Sequence, residues 1–297
     1  MSKKFHMARV YPYWFLLPGG VIFLAFFVLP ALVSFIFAFT NWNSFNYSVF
    51  DVKFVGFDNF VKILTEPSLN IAFRNTFIFA FVTTVFKCFF GLILALLVNM
   101  NLKVRGYLRT IFFFPCVICS VAIGLIFLAM YNPSTGLVNT TLEAIGLGAL
   151  RRDWLGELDL VIFSVCAAEI WKWSGYNMVI FLAGLSDIPA DVNEAAEIDG
   201  CNMFQRFFYI TFPLIRSSLN INLVLSVISG LKVFDIVYAV TNGGPGYASE
   251  TFNTVVFKKF SQGFFGLSTA EGLLLFVLVM IIALPLNHYL LKKEVNM

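Results

Sequence analysis

The chain has 297 residues, of which 59% are hydrophobic and only 12% are charged, and its formal net charge is +3. Soluble domains average roughly a quarter charged residues, so this composition excludes an ordinary water-soluble protein and favours a chain that lies in a membrane. The small net charge is not concentrated in a sustained basic run, and it gives no indication of nucleic-acid binding.

Six stretches are apolar over the roughly 20 residues that a helix needs to cross a hydrocarbon core. They lie at 13–39, 75–99, 107–130, 160–185, 217–240 and 271–291, and a tail of residues 1–12 precedes them. The first stretch is longer than the apolar region of a secretory signal and contains Pro18 and Pro30, so we expect it to remain as a span. The sequence therefore predicts an all-α membrane protein with a single six-helix transmembrane domain over 13–297.

Basic residues in the short loops predict the orientation of these spans. With a cytoplasmic N-terminus, the cytoplasmic side receives Lys3, Lys4, Arg9, Lys103, Arg105, Arg109, Arg206, Arg216, Lys292 and Lys293. The other side receives Lys53, Lys62, Arg74, Arg151, Arg152, Lys258 and Lys259, which are spread over longer loops. Both termini and the loop 186–216 are therefore predicted to be cytoplasmic.

The common catalytic and metal-binding motifs do not occur in the sequence. It contains no GxxxxGK[ST] phosphate loop, no HExxH and no GxSxG. Cys116 and Cys119 form a CxxC inside an apolar stretch, without a second CxxC or a histidine pair, so we interpret them as packing residues rather than metal ligands. We expect no enzyme activity and no metal or cofactor of the chain's own.

An acidic stretch, DVNEAAEIDGCNMFQRFFYITFP at 191–213, stands out in the predicted cytoplasmic loop. Asp191 and Glu194 lie near the start of a predicted helix, where the positive end of the helix dipole favours anions. Gly200 is able to adopt the left-handed conformation that ends a helix, and a second helix is predicted over 202–211. On helix pattern alone, this stretch would be a solvated acidic helix in an ordinary loop.

The order of residues in this stretch resembles the cytoplasmic signature of permease subunits of binding-protein-dependent ABC importers. The signature reads here Glu194, Ala195, Ala196, Asp199, Gly200, Ile210 and Pro213, with Phe212 where the family usually has Leu and Cys201 where it often has Ala. Four further segments resemble the same branch: FVGFDNF at 54–60, RTIFFFP at 109–115, FLAGLSDIP at 181–189 and LKVFDIVYAVTNGGPG at 231–246. Together they resemble the MalF/UgpA-type carbohydrate permeases.

The resemblance implies a type I ABC importer permease in a bacterial cell membrane. A second permease, usually a different chain, a cytoplasmic ABC ATPase dimer and an extracellular or periplasmic binding protein would be its partners. Glu194, Ala195, Ala196, Asp199 and Gly200 would contact the ATPase, which binds the ATP and Mg²⁺. The transported solute would be a sugar or oligosaccharide. Glycerol phosphate or a polyol is the alternative within the same branch, and an ATPase-independent secondary transporter is the alternative outside it.

Two pairs of charged residues interrupt the predicted spans. Glu169 and Lys172 are three residues apart in the fourth span, as are Lys232 and Asp235 in the fifth, and residues with this spacing share a helix face. A charged side chain at the bilayer centre costs about 2.5–3.5 kcal/mol, so these residues should face protein or water.

Two interpretations of these charges stay open. In the first, they line the sugar path, with Tyr176, Asn177 and Tyr238 as hydrogen-bonding neighbours. In the second, each pair neutralises itself in the bundle interior, or the members near a span end reach the membrane interface. Lys87 and Glu271 stand alone in their spans, and for them we favour packing or interface roles.

Overall fold

The computed structural model describes residues 13–45, 51–100 and 103–295, so the predicted tail 1–12 lies outside the described residues. The described part of the chain is helical, apart from loops and one isolated β-bridge between Thr40 and Phe54. The helices are α1 (Leu16–Phe37), α2 (Asp58–Thr65), α3 (Pro67–Asn99), α4 (Arg105–Val117), α5 (Ser120–Met130), α6 (Leu137–Ala144), α7 (Val161–Ser186), α8 (Ala190–Ile198), α9 (Met203–Leu214), α10 (Arg216–Leu231), α11 (Asp235–Thr241), α12 (Phe252–Ser261) and α13 (Phe265–Val295). Two of them contain a π-helical turn, Leu24–Val28 in α1 and Phe207–Thr211 in α9.

The chain divides into two compact units, of which the first comprises Met1–Thr65 and Val256–Leu274. After α1 the loop folds back, and the side-chain amide of Asn59 donates to the carbonyl oxygens of Ala38 and Thr40 at 2.9 and 2.8 Å. Carbonyls at a helix end lack intrahelical donors, so Asn59 supplies the missing partners. Residues 16–27 of α1 are all exposed, which leaves an apolar helix surface for lipid or another chain.

The second unit comprises Glu66–Val255 and Leu275–Met297, and α7 runs through its centre. α7 packs along α3 and against α4, while α10 packs against both α3 and α7. Gly175 makes the contact with α4 possible, because a Cβ at this position would overlap the carbonyl oxygen of Phe112. Two apolar cores form along α7, one around Val165 and Val237 and the other around Phe181 and Ile215.

Two of the predicted spans are not continuous helices. The third, at 107–130, divides into α4 and α5, which are bent by 97°. Pro115 removes a helical N–H donor near the end of α4, and the backbone then leaves the helical region at Ile118 and Cys119, with ψ of 136° and 147°. The fifth, at 217–240, is interrupted between α10 and α11, where Phe234 has φ −142° and ψ −60°.

The other predicted spans agree with single helices or lie inside longer ones. α3 begins at Pro67, well before the predicted start at 75, and α13 extends beyond 271–291 at both ends. By length and composition, three described helices are able to cross a membrane. Up to five spans result if α4 with α5, and α9 with α10, which are bent by 67°, each count as one. α7 coincides with the predicted span at 160–185, and it falls outside this count because its polar residues lower its hydropathy.

Candidate functional site

The predicted helix–turn–helix in the acidic stretch is present. α8 ends in a Schellman turn, in which the Gly200 N–H donates to the Glu197 carbonyl oxygen at 3.1 Å and the Cys201 N–H donates to that of Ala196 at 3.0 Å. Gly200 has φ +76°, and nothing lies within 4 Å of the position that a Cβ would occupy. The requirement for glycine is therefore conformational rather than steric.

The angle between α8 and α9 is held by two further contacts. Asn202 and Gln205 form a capping box, with backbone-to-side-chain hydrogen bonds of 2.8 and 2.9 Å. Arg206 reaches back across the turn to Glu197 at 3.0 Å. The N-x-x-Q pattern of Asn202 and Gln205 is a local sequence signal for this box, and the box was not predicted.

The surface of this segment is both acidic and apolar. Glu194, Ala195, Asp199 and Gly200 are exposed, whereas Ala196 is buried against the protein. Large apolar side chains are also exposed here, namely Ile198, Met203, Phe204, Phe208 and Tyr209. Large apolar side chains exposed together on one short segment are typical of an interaction surface.

The buried charges make contacts that differ from the predicted pairs. The Nζ of Lys87 on α3 lies 3.9 Å from Oε1 of Glu169 on α7 and donates to the hydroxyl of Ser229 on α10 at 3.1 Å. Lys172 instead donates to the hydroxyl of Ser120, the first residue of α5, at 2.6 Å. Lys87 therefore has a partner on another helix, which corrects its interpretation as a solitary packing residue.

Self-neutralisation within each predicted pair is not observed. In the part of the chain that the structure describes, Glu169 forms its ion pair with Lys87 rather than Lys172, and no ion pair joins Lys232 to Asp235. Both Glu169 and Lys172 are buried, whereas both Lys232 and Asp235 are exposed. Helix spacing places residues on one face, but it does not make side chains of opposite charge meet.

Two neighbouring cavities of the second unit, each with polar side chains in its lining, collect most of the predicted path residues. Cavity A, of about 350 Å³, is lined by Lys87, Trp173, Tyr176, Asn177, Leu225, Ser226 and Ser229. Cavity B, of about 370 Å³, is lined by Ser120, Glu169, Trp173, Ser229, Lys232, Val233, Phe234, Asp235, Ile236 and Asn253. Trp173 and Ser229 line both cavities, so the two spaces are neighbours.

Aromatic and amide groups organise cavity A. Trp173 and Tyr176 pack edge to face with ring centroids 5.7 Å apart. The Asn177 side-chain amide donates to the Ser226 hydroxyl at 3.2 Å, and the Asn222 amide donates to the Asn177 carbonyl oxygen at 3.4 Å. Aromatic faces beside fixed hydrogen-bonding groups suit a ligand that has both apolar faces and hydroxyl groups.

Two predicted residues stand outside the cavity walls. Tyr238 stacks on Phe234 with centroids 5.2 Å apart, so its contact with cavity B is indirect. Lys172 reaches cavity B only through Ser120 and lies 5.3 Å above the Trp173 ring.

Lys87, Trp173, Ser226 and Ser229 line the cavities but were not predicted to do so. Trp173 had one available signal, since it lies in the same predicted span as Glu169, Lys172 and Tyr176.

The family described as "Binding-protein-dependent transport system inner membrane component" matches residues 87–293, a range that contains α8, the Schellman turn and the lining residues of both cavities. The chain belongs to this family. As a member, it is an inner membrane component of a transport system, and this membership confirms the resemblance on which the sequence analysis relied.

Curated relatives are similar over most of this family member's length. The trehalose/maltose transport system permease protein MalF of Thermococcus litoralis is 35% identical over 271 residues, which cover 90% of this chain and 89% of the relative. The probable ABC transporter permease protein YurN of Bacillus subtilis is 33% identical, covering 93% and 94%. The sn-glycerol-3-phosphate transport system permease protein UgpA of Agrobacterium fabrum is 30% identical, covering 95% and 93%.

A solved structure of a bacterial ABC transporter involved in the import of the acidic polysaccharide alginate contains a chain with a similar fold. The TM-score is 0.81 at 26% identity, and the match covers 94% of each chain. A second structure of the alginate transporter, in complex with an alginate pentasaccharide-bound periplasmic protein, matches with a TM-score of 0.82. These similarities confirm the predicted all-α fold of an ABC importer permease.

Proposed function

We propose that the protein is the transmembrane permease subunit of an ATP-driven importer that takes a sugar or oligosaccharide from an extracellular binding protein across a bacterial cell membrane. The observation that carries the choice of solute is cavity A, where Trp173 and Tyr176 lie beside Asn177, Ser226 and Ser229. A sugar ring offers an apolar face to aromatic rings and hydroxyl groups to amides and hydroxyls. The similarity to a trehalose/maltose permease supports the same solute class.

The acidic segment is the proposed docking site for the ATPase. Glu194 and Asp199 are exposed on a short, well-capped helix–turn–helix, and a rigid element of this kind transmits displacement better than a flexible loop. Exposed Ile198 and Phe204 provide apolar contact area beside the charges. The ATPase would bind ATP and Mg²⁺, and this chain would contribute no catalytic group.

A second permease and a binding protein complete the proposed complex. The uninterrupted exposure of residues 16–27 leaves apolar surface available for a neighbouring permease as well as for lipid. A periplasmic protein is bound to the alginate transporter in one of the similar structures, and we propose an equivalent partner for this chain.

A phosphorylated or polyol solute is the second candidate. Three lysines, Lys87, Lys172 and Lys232, line the cavities or contact their walls, against the two acids Glu169 and Asp235. An excess of positively charged side chains would favour binding of an anionic solute such as glycerol phosphate. The similarity to the UgpA permease supports this alternative.

A secondary transporter is supported by a single observation. The breaks between α4 and α5 and between α10 and α11 are of the kind that secondary transporters use at ion sites. Membership of a binding-protein-dependent family argues against this candidate.

The experiment is to purify the chain from its native membrane in mild detergent and to identify the proteins that co-purify. The complex is then reconstituted in vesicles with the binding protein, and uptake of labelled maltose, trehalose, glycerol 3-phosphate and a polyol is measured with and without ATP. We expect an ATPase and a second permease in the purified complex, and ATP-dependent uptake of a sugar. ATP-independent uptake would contradict the ABC mechanism, while ATP-dependent uptake of glycerol phosphate alone would select the second candidate.

A further inference from the structure

Three helices of the second unit meet where cavities A and B adjoin. Lys87 comes from α3, Glu169 from α7 and Ser229 from α10. Lys87 lines cavity A, Glu169 lines cavity B, and Ser229 lines both. The 3.9 Å contact between Lys87 and Glu169 therefore joins the two cavities across their common wall, and the 3.1 Å hydrogen bond from Lys87 to Ser229 holds Lys87 at that wall.

The two cavities follow one another along α7. Glu169 lines cavity B, while Tyr176 and Asn177 line cavity A and lie closer in sequence to α8. At a rise of 1.5 Å per residue, Asn177 is about 12 Å further along the helix than Glu169. Cavity A is thus the one nearer the proposed ATPase-docking segment, and a solute that moved along α7 would meet the two cavities in turn.

The contact across the wall is suited to being opened and closed. The side chains of Lys87 and Glu169 are 2% and 8% exposed, so neither charge is hydrated by bulk solvent. Their separation of 3.9 Å exceeds the roughly 2.7–2.9 Å of a strong charge-assisted hydrogen bond. A hydroxyl group of a solute could therefore donate to the carboxylate of Glu169 and accept from the ammonium group of Lys87, replacing the protein contact with an equivalent one.

We propose that Lys87, Glu169 and Ser229 form an internal barrier between cavity B and cavity A, which solute hydroxyl groups open during transport. This inference rests on the proposed importer function. Lys87 is then a positioning residue that closes the path when no solute is present, rather than a passive counter-ion. Trp173, which lines both cavities, is the aromatic surface along which the solute passes the barrier.

The test measures access of a membrane-impermeant thiol reagent to each cavity in reconstituted vesicles without ATP, with the reagent added on the binding-protein side. Asn253→Cys reports on cavity B, and Ser226→Cys reports on cavity A. Labelling of the five native cysteines is measured on the parent chain and subtracted. The barrier is removed with Lys87→Met/Glu169→Gln, because removing both charges leaves no uncompensated buried charge.

We expect Asn253→Cys to label at the same rate whether the barrier is intact or removed. Ser226→Cys should label about tenfold faster in the double variant, because that variant loses both the ion pair and the hydrogen bond from Lys87 to Ser229. Ser229→Ala removes only the hydroxyl, and we expect about threefold faster labelling of Ser226→Cys. This single variant decides the question if the double variant does not assemble.

Equal labelling of Ser226→Cys with and without the barrier would overturn the proposal. So would the failure of Asn253→Cys to label, since cavity B would then not lie on the solute's path of entry.

Uptake is measured in parallel on the unsubstituted complex. If the unsubstituted complex takes up none of the sugars, the proposed function is refuted, but the labelling result remains valid. A failure of the barrier proposal and a failure of the proposed function are therefore distinguishable.

Discussion

Lys87 on α3 and Glu169 on α7 are far apart in the sequence, yet their charged atoms lie 3.9 Å apart inside the second unit. Both side chains are nearly inaccessible to solvent, so the two charges stabilise each other, and the Ser229 hydroxyl accepts a hydrogen bond from Lys87. Removing one partner of a buried ion pair leaves the other charge buried without a counter-ion. The resulting loss of folding free energy is far larger than the net contribution of the intact pair.

The first prediction concerns this asymmetry. We expect Lys87→Met and Glu169→Gln each to destabilise the protein by about 3–5 kcal/mol, and the double variant to recover most of that loss. The measurement is the thermal stability of the detergent-solubilised protein, followed by fluorescence-detected size exclusion. Lys62→Met, at an exposed lysine of α2, is the control and should behave as the parent. Additive losses in the double variant would mean that the two charges are energetically independent.

The second prediction concerns the turn after α8. Gly200 has φ +76°, a conformation that costs a residue with a side chain roughly 1 kcal/mol or more. We expect Gly200→Val to insert normally but to lose ATPase retention, sugar uptake and the dependence of ATP hydrolysis on the binding protein. Gly146→Val is the matched control, because Gly146 has φ +80° and equally open surroundings but lies at the end of α6. The same losses in both variants would indicate general strain rather than a coupling role.

The third prediction concerns charge at the docking surface. Glu194 is exposed, so Glu194→Ala removes a charge without changing the shape of α8. We expect a milder loss of ATPase retention than in Gly200→Val, and one that shrinks as salt is raised, because the Debye length falls from about 10 Å at 0.1 M to about 3 Å at 1 M. Retention is measured by affinity purification at both salt concentrations, with Asp159→Ala at an exposed site before α7 as control. A loss that does not depend on salt would argue against an electrostatic contact.

The fourth prediction concerns cavity B. Asp235 is exposed at the start of α11 and lines the cavity, so Asp235→Asn should change the KM or the rate of uptake while leaving ATPase assembly intact. Kinetics of uptake in vesicles provide the measurement, and Asp159→Asn is the charge-matched control. Unchanged kinetics would leave Asp235 as a residue of the cavity rim without a role in transport.

The fifth prediction concerns nucleotide. The sequence has no phosphate loop, so the purified chain by itself should neither bind nor hydrolyse ATP. Equilibrium binding of a fluorescent ATP analogue and phosphate release are the measurements, with the complete complex as the positive control. Specific binding by the isolated chain would contradict a division of labour between permease and ATPase.

Local features of the sequence correctly predicted the helix–turn–helix formed by α8 and α9. Gly200, the acids before it and the apolar residues after it act through backbone conformation and helix-end electrostatics, which extend over only a few residues. The all-α membrane class followed from composition for a similar reason, since the hydrocarbon core requires every backbone polar group to be paired within a helix or a closed barrel.

The breaks in the third and fifth spans were not predicted. Apolar composition continues through the break in the third span, whereas Lys232 and Asp235, which flank the break in the fifth, were interpreted only as charges within a continuous helix. Hydropathy indicates whether a residue is stable in lipid or in a protein interior. It does not indicate whether the helix is continuous at that residue. The departure at Ile118 and Cys119 follows Pro115, which was a local signal for it. The unusual backbone at Phe234 comes directly before α11, which packs against α5.

The partner of Glu169 could be decided only by tertiary structure. Sequence spacing favoured Lys172, which shares its helix, whereas packing of α3 along α7 brings Lys87 to the carboxylate and turns Lys172 towards Ser120. Periodicity within a helix determines which face a residue occupies. Which residue of another helix meets that face depends on the register and the crossing of the two helices, and a single sequence does not encode these in any local pattern.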